Sequence, residues 1–323
     1  MARVGIGPPS PQLLPPRDTL HGRGRRTFLA AILLIAAFAT GACLPRLPAS
    51  KRAVLATHAP TLTPSPFIPP DQLAAPGEAT LIPVPLSTQA ADADCREAPG
   101  RVANDTAPSS LGGPTLTWIA YLPPCYGAQP DMRYPLLILL HAAERNAQQW
   151  LSLGIAETAD RMIATGAVPP LIIVMPNSPL DNASDAFILA DLLPALDADY
   201  AVNESRDQRA IGGLSLGAAQ AMRVEMQRPD LFGALGLHSL TPVEVDQAHL
   251  AGWLTAMPAS LMPRVYVDIG DKTTQRDAVQ AIADQLSASG LEVTWQLNSG
   301  AHADSYWRAH LEEYLTWYAS GWR

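Results

Sequence analysis

The chain has 323 residues, enough for one large domain or two small ones, and a formal charge of -8. That mild acidity leaves no basic face for nucleic acid. Its 31 prolines crowd toward the amino-terminal side, which predicts an extended lead-in before a compact domain.

The first element is an export signal. Arg23, Arg25 and Arg26 precede an uncharged apolar run at residues 28–39. A membrane span needs about 20 such residues; this run has the length of a signal-peptide core. Arg25-Arg26-Thr27-Phe28-Leu29 also resembles a twin-arginine signal, so both the general and the twin-arginine export routes stay open. The signal ends in Thr40-Gly41-Ala42-Cys43. Small residues before a cysteine resemble a bacterial lipobox, in which the cysteine is lipidated and becomes the mature amino terminus. Thr40 departs from that pattern, where an aliphatic residue is usual. The alternative is ordinary signal-peptidase cleavage with Cys43 incidental. A lipid on Cys43 would anchor the protein to the membrane, at the outer face of the bacterial cytoplasmic membrane or in the periplasm or cell surface.

Ten prolines from Pro45 to Pro85, with Thr, Ser and Ala between them, follow. Such a segment cannot bury a core and reads as an extended tether. The expected organisation is a signal at 1–43, a disordered Pro-rich tether at 44–94 and a folded domain at 95–323. The two remaining cysteines, Cys95 and Cys125, are a disulfide candidate in an exported chain; two separate thiols are the alternative.

Within the folded part, residues 116–122 alternate and predict an early strand, stopped by Pro123-Pro124. Residues 135–140 form a continuous apolar run ending at His141. Residues 171–175 form another, ending at Pro176-Asn177. Ala210-Ile211 lead into a serine flanked by glycines, and residues 234–237 end at His238. Residues 264–269 and 292–297 complete the set. Continuous apolar strands are buried on both faces, as in a parallel sheet. Between them, Ile155, Ala159, Met162 and Ile163 share one helical face, as do Ala278, Val279, Ile282, Ala283 and Leu286. The fold class is α/β, a mostly parallel sheet with helices on both faces. In such sheets function gathers at the carboxyl ends of the strands, where His141, Asn177, Ser215, His238, Asp271 and His302 fall.

Gly213-Leu214-Ser215-Leu216-Gly217 matches G-x-S-x-G. Alone the pattern is weak; a strand before it and a helix after it supply the context of a nucleophile turn. A serine hydroxyl needs a base, and the base an orienting acid. His302 follows the last strand in a glycine-containing turn, whereas His249 and His310 fall in predicted helices.

These pieces resemble a known family. Tyr121-Leu-Pro-Pro-Cys-Tyr126, Tyr134-Pro-Leu-Leu-Ile-Leu-Leu-His141, Gly212-Gly-Leu-Ser-Leu-Gly217, Pro229-Asp-Leu-Phe-Gly233, Val265-Tyr-Val-Asp-Ile-Gly270 and Gly300-Ala-His302 are similar to the Putative esterase family of α/β-hydrolases. That family includes esterase D (S-formylglutathione hydrolase), feruloyl esterases, enterochelin esterases and mycolyltransferases. The resemblance implies the α/β-hydrolase fold, Ser215 as nucleophile and His302 as base. It also implies an oxyanion hole from the backbone N–H of Leu216 and a donor in the loop after His141, taken as Ala142. Two departures stand out. Ala142 replaces the usual glycine, and Thr273 stands where relatives carry the acid. Asp271, on the same loop, is the expected acid; Asp268 reads as structural and Asp277 as a helix start. The expected activity is ester hydrolysis on a small-molecule or carbohydrate-linked ester, with acyl transfer as a variant of the same acyl-enzyme. The alternative is an impaired relative acting as a surface binding module. No cofactor and no metal are expected, since His141, His238 and His302 lack companions at ligand spacing.

Overall fold

A computed structural model describes Cys95 and residues 98–110, 112, 115–178 and 182–322. The signal, Cys43 and the tether lie outside the described residues. Strands β1 (Arg101–Ala107), β2 (Leu116–Leu122), β3 (Leu136–Leu140), β4 (Ile172–Pro176), β5 (Arg209–Leu214), β6 (Ala234–His238), β7 (Arg264–Gly270) and β8 (Glu292–Asn298) pair into one sheet. Its order is β1-β2-β4-β3-β5-β6-β7-β8. β2 runs antiparallel to both β1 and β4, and every pair from β4 to β8 is parallel. The predicted class is therefore the observed one.

Alternation along β3 explains why helices cover both faces. Leu136, Ile138 and Leu140 join one apolar cluster, while Leu137 and Leu139 join another on the opposite face. All five are buried, and each contributes about 1.5–3 kcal/mol relative to exposure. On the first face lie α5 (Leu216–Gln227), α6 (Glu244–Ala256) and α7 (Arg276–Ala288), through residues such as Met222, Leu250 and Ile282. On the second lie α1 (Gln148–Leu153), α2 (Ile155–Ala164) and α9 (Leu311–Ala319), through Trp150, Met162 and Leu315. α3 (Asn182–Phe187), a π-helical turn at Ile188–Leu192, and α4 (Leu193–Asp199) fill the β4–β5 connection; α8 (Asp304–Ala309) precedes α9.

β1 has no counterpart among the expected strands. Its sequence RVANDTA carries no apolar run, because it is an edge strand paired along its length with β2 alone. Charged residues on an edge also discourage pairing with another chain.

Beneath the carboxyl end of the sheet lies a buried polar cluster. Asp268 Oδ1 faces His238 Nδ1 at 2.8 Å. Asp268 Oδ2 accepts from the hydroxyls of Tyr306 (2.8 Å) and Tyr314 (2.9 Å). His238 Nε2 meets Tyr318 Oη at 2.9 Å. The facing Gly212 and Gly236 make room for that hydroxyl, since a Cβ at either would overlap it. Both oxygens of Asp268, a residue read from its place within β7 as structural, are thus taken up inside this cluster. Cys95 and Cys125 are joined in a disulfide, their Cα atoms 5.1 Å apart.

Candidate active site

β5 stops at Leu214 and α5 starts at Leu216, so one residue makes the turn. Ser215 makes it with φ 60° and ψ -117°, a conformation that costs a side-chain-bearing residue energy. Two glycines permit it. A Cβ on Gly213 would overlap the backbone of Gly217 and Ala218, and one on Gly217 the carbonyls of Leu140 and His141. The helix can therefore start hard against the end of β3. The turn is pinned by Ser215 N–H to His238 O (3.0 Å) and Thr241 N–H to Ser215 O (3.2 Å).

Ser215 Oγ has two partners, His302 Nε2 at 2.9 Å and Thr241 Oγ1 at 3.0 Å. His302 arrives from the loop after β8, and its ring stands edge-on to Trp307 with centroids 5.2 Å apart. Desolvation of the ring lowers its pKa below the ordinary imidazole value. The neutral, proton-accepting form therefore prevails at neutral pH, as a base requires.

The carboxylate expected to orient His302 is bound elsewhere. Asp271 Oδ1 accepts the Gly300 N–H at 2.9 Å, and Asp271 N–H and Lys272 N–H donate to Asn298 O and Gly300 O. These bonds fasten the histidine loop to the turn after β7. Among the described residues His302 Nδ1 has no hydrogen-bond partner. Asp268 is committed to the buried cluster, Asp277 pairs with Arg276 in the first turn of α7, and Thr273 Oγ1 donates to Gly270 O.

The loop after His141 also differs from expectation. Ala142 N–H donates to the Gln149 side-chain oxygen at 2.8 Å and is not free. The next amide, Ala143, and that of Leu216 at the start of α5 have no acceptor among the described residues. The buried His141 ring bonds Ala142 O through Nδ1 (2.8 Å) and accepts Ser178 N–H at Nε2 (3.3 Å); burial lowers its pKa. Asn177 braces the same region, accepting Ala147 N–H and donating to Thr117 Oγ1. His238, though at a strand end, points away from Ser215 into the polar cluster. Thr241, Ala143 and Gln149 were not marked by any motif.

A cleft of about 730 Å³, lined by Asn104, Trp118, Ile119, His141, Arg145 and Asn177 among others, lies at the same end of the sheet. A larger cavity, about 1340 Å³, lies at the amino ends of β3 and β4 between Cys125, Tyr134, Val168 and Trp322, remote from Ser215.

Residues 109–318 match the family model described as Putative esterase. An endo-1,4-beta-xylanase/feruloyl esterase of Xylanibacter ruminicola is 26% identical over 234 residues, 66% of this chain and 31% of that protein. The chain thus spans about a third of that relative's length. Among solved structures, a ferulic acid esterase superposes with a TM-score of 0.63 at 21% identity, covering 69% of this chain and 100% of the other. An S-formylglutathione hydrolase of Staphylococcus aureus gives 0.55 at 17% identity, covering 69% and 98%. At these identities the structural matches establish the α/β-hydrolase fold.

Proposed function

Since the chain belongs to the Putative esterase family, we propose that it is a serine ester hydrolase working through an acyl-enzyme on Ser215, with His302 as base. The observation that carries the reading is the 2.9 Å contact between Ser215 Oγ and His302 Nε2 on a strand–turn–helix elbow. Oγ attacks the ester carbonyl carbon while its proton passes to Nε2. The carbonyl oxygen becomes an oxyanion, held by the free amides of Leu216 and Ala143. The C–O bond then breaks and the leaving alcohol takes the proton from Nε2. Water repeats the sequence in reverse order of roles: it gives a proton to Nε2, attacks the acyl carbon, and releases the acid and Ser215. An alcohol in place of that water would make the same acyl-enzyme an acyltransferase.

Thr241 Oγ1, 3.0 Å from Ser215 Oγ, holds the serine hydroxyl beside His302. Asp271 acts through Gly300, fixing the loop that carries His302, and the histidine works as the base of a dyad. The substrate is a small-molecule or carbohydrate-linked ester, in line with the similarity to an endo-1,4-beta-xylanase/feruloyl esterase. The amino-terminal sequence supports export, a lipid on Cys43 and a tether at 44–94 that holds the domain off the membrane. Among the described residues no helix is long and apolar enough to cross a membrane.

A second reading, an impaired relative that binds esters without turning them over, is favoured by the unpartnered His302 Nδ1. Hydrolysis of p-nitrophenyl acetate and methyl ferulate by the purified domain separates the two. The enzyme reading expects turnover that Ser215→Ala and His302→Ala each remove, by as much as about a millionfold in an established serine hydrolase. Activity surviving Ser215→Ala would place the site elsewhere, and an inert wild type would leave the binding module.

A further inference from the structure

We propose that Gln149 is a positioning residue that ties the loop after β3 to the loop carrying His302, using Asp304 as the link. The inference rests on the serine-hydrolase reading of Ser215 and His302. It concerns how the oxyanion donor is aimed.

Gln149 is buried in α1, with only 6% of its surface exposed. Both ends of its amide are used. Oε1 accepts Ala142 N–H at 2.8 Å, and Nε2 donates to Asp304 Oδ1 at 3.1 Å. Asp304 opens α8, two residues after His302. One side chain therefore touches the loop that follows His141 and the segment that follows the base. Arg145, from the first loop, reaches the other oxygen of Asp304 at 3.4 Å.

The Ala142 contact has a directional consequence. Ala142 O accepts from His141 Nδ1 (2.8 Å) and from Arg145 N–H (3.2 Å) in a turn that carries Glu144 at φ 57°. Ala142 O and Ala143 N–H belong to one planar trans peptide, so they point in opposite directions. The His141 ring leans toward Ser178 after β4. β5, which leads into Ser215, lies on the other side of β3. Fixing the carbonyl toward the His141 side thus turns the free Ala143 N–H toward the Ser215 side. The Gln149 bond holds the preceding peptide, so both planes flanking the Ala142 Cα are set. Without Gln149, one plane is released and the donor swings.

The test uses the purified chain with Gln149→Ala, Gln149→Glu and the pair Gln149→Glu with Asp304→Asn, on p-nitrophenyl acetate. Removing an oxyanion donor outright costs about 10²–10³ in kcat; misaiming one is expected to cost Gln149→Ala about 10–100-fold in kcat with KM changed much less. Gln149→Glu keeps an acceptor for Ala142 N–H but sets a carboxylate against Asp304, and kcat falls. Adding Asp304→Asn restores a donor to that carboxylate, and kcat recovers while Gln149→Glu alone does not. A purely structural Gln149 would shift the melting temperature of all three without this rescue of kcat. Wild-type kcat in a folded Gln149→Ala, or no rescue in the double variant, overturns the proposal. Should Gln149→Ala fail to fold, the near-isosteric pair decides. Ser215→Ala run alongside separates outcomes: if it stays active, the site reading fails, whereas an inactive Ser215→Ala beside an unaffected Gln149→Ala refutes this inference alone.

Discussion

Asp268 offers the sharpest test of how the catalytic end of the sheet is supported. Three donors converge on its carboxylate: His238 Nδ1, Tyr306 Oη and Tyr314 Oη, at 2.8, 2.8 and 2.9 Å. The side chain is fully buried, out of reach of bulk water. Asp268→Ala strands all three, at about 1–3 kcal/mol for each unsatisfied buried donor, or roughly 3–9 kcal/mol together. Against a typical domain stability of about 5–15 kcal/mol, this variant should be barely folded. Asp268→Asn should be milder. Its oxygen can serve the two tyrosines while its NH₂ faces His238, which can shift its hydrogen to Nε2 and donate to Tyr318 Oη instead. That leaves a loss of about 1–3 kcal/mol, chiefly because the buried Tyr318 O–H gives up Nε2 as its acceptor. Urea unfolding followed by tryptophan fluorescence, with midpoints compared at a common slope, measures both. An Ala variant within about 1 kcal/mol of wild type would refute the reasoning, because three stranded donors cannot cost so little.

Three other outcomes follow from the site. Asp271→Asn keeps an oxygen for Gly300 N–H and should lower kcat less than about tenfold, or 1.4 kcal/mol; a drop near about 10⁴ would show that the Asp271 charge orients His302 after all. The acid limb of kcat/KM should lie below about 6.5, because desolvation lowers the His302 pKa. His141 is shifted the same way, so the unfolded chain binds these protons first; stability is full above about 6.5 and is lost as pH falls through the folded-state values, which urea midpoints against pH will show. Reducing Cys95–Cys125, 30 residues apart in sequence, should cost about 3–4 kcal/mol by loop-closure entropy, read as a lowered urea midpoint in reductant.

The parallel core was legible because its strands are buried on both faces, which leaves a continuous apolar record: Leu136–Leu140 is one such run. β1 left none, since an edge strand needs only backbone pairing. The segment from Asn182 to Asp199 was also unread; Pro194 interrupts its pattern, yet it sits at the amino end of α4, where a missing N–H is harmless. Ser215 and His302, marked by a motif and by chain order, are brought within 2.9 Å of each other. For the acid, loop membership does not say which amide meets a carboxylate, and Asp271 accepts from Gly300 N–H. His238 looked like a site residue from its strand end; alternation along β6 instead puts it on the face of Tyr318 and Tyr314. Thr241 and Gln149 carry no spacing signature, although a glutamine beside the buried Trp150 on a short helix near His141 is a buried polar group that needs a partner.

Every step proposed for the site depends on an activated serine at residue 215. Incubating the purified chain with a fluorophosphonate and mapping the adduct by peptide mass spectrometry tests it most directly. A single phosphonylated peptide carrying Ser215 is expected, with labelling abolished in Ser215→Ala and slowed severely in His302→Ala. A folded wild-type protein that takes no label, or one labelled equally in Ser215→Ala, would contradict it.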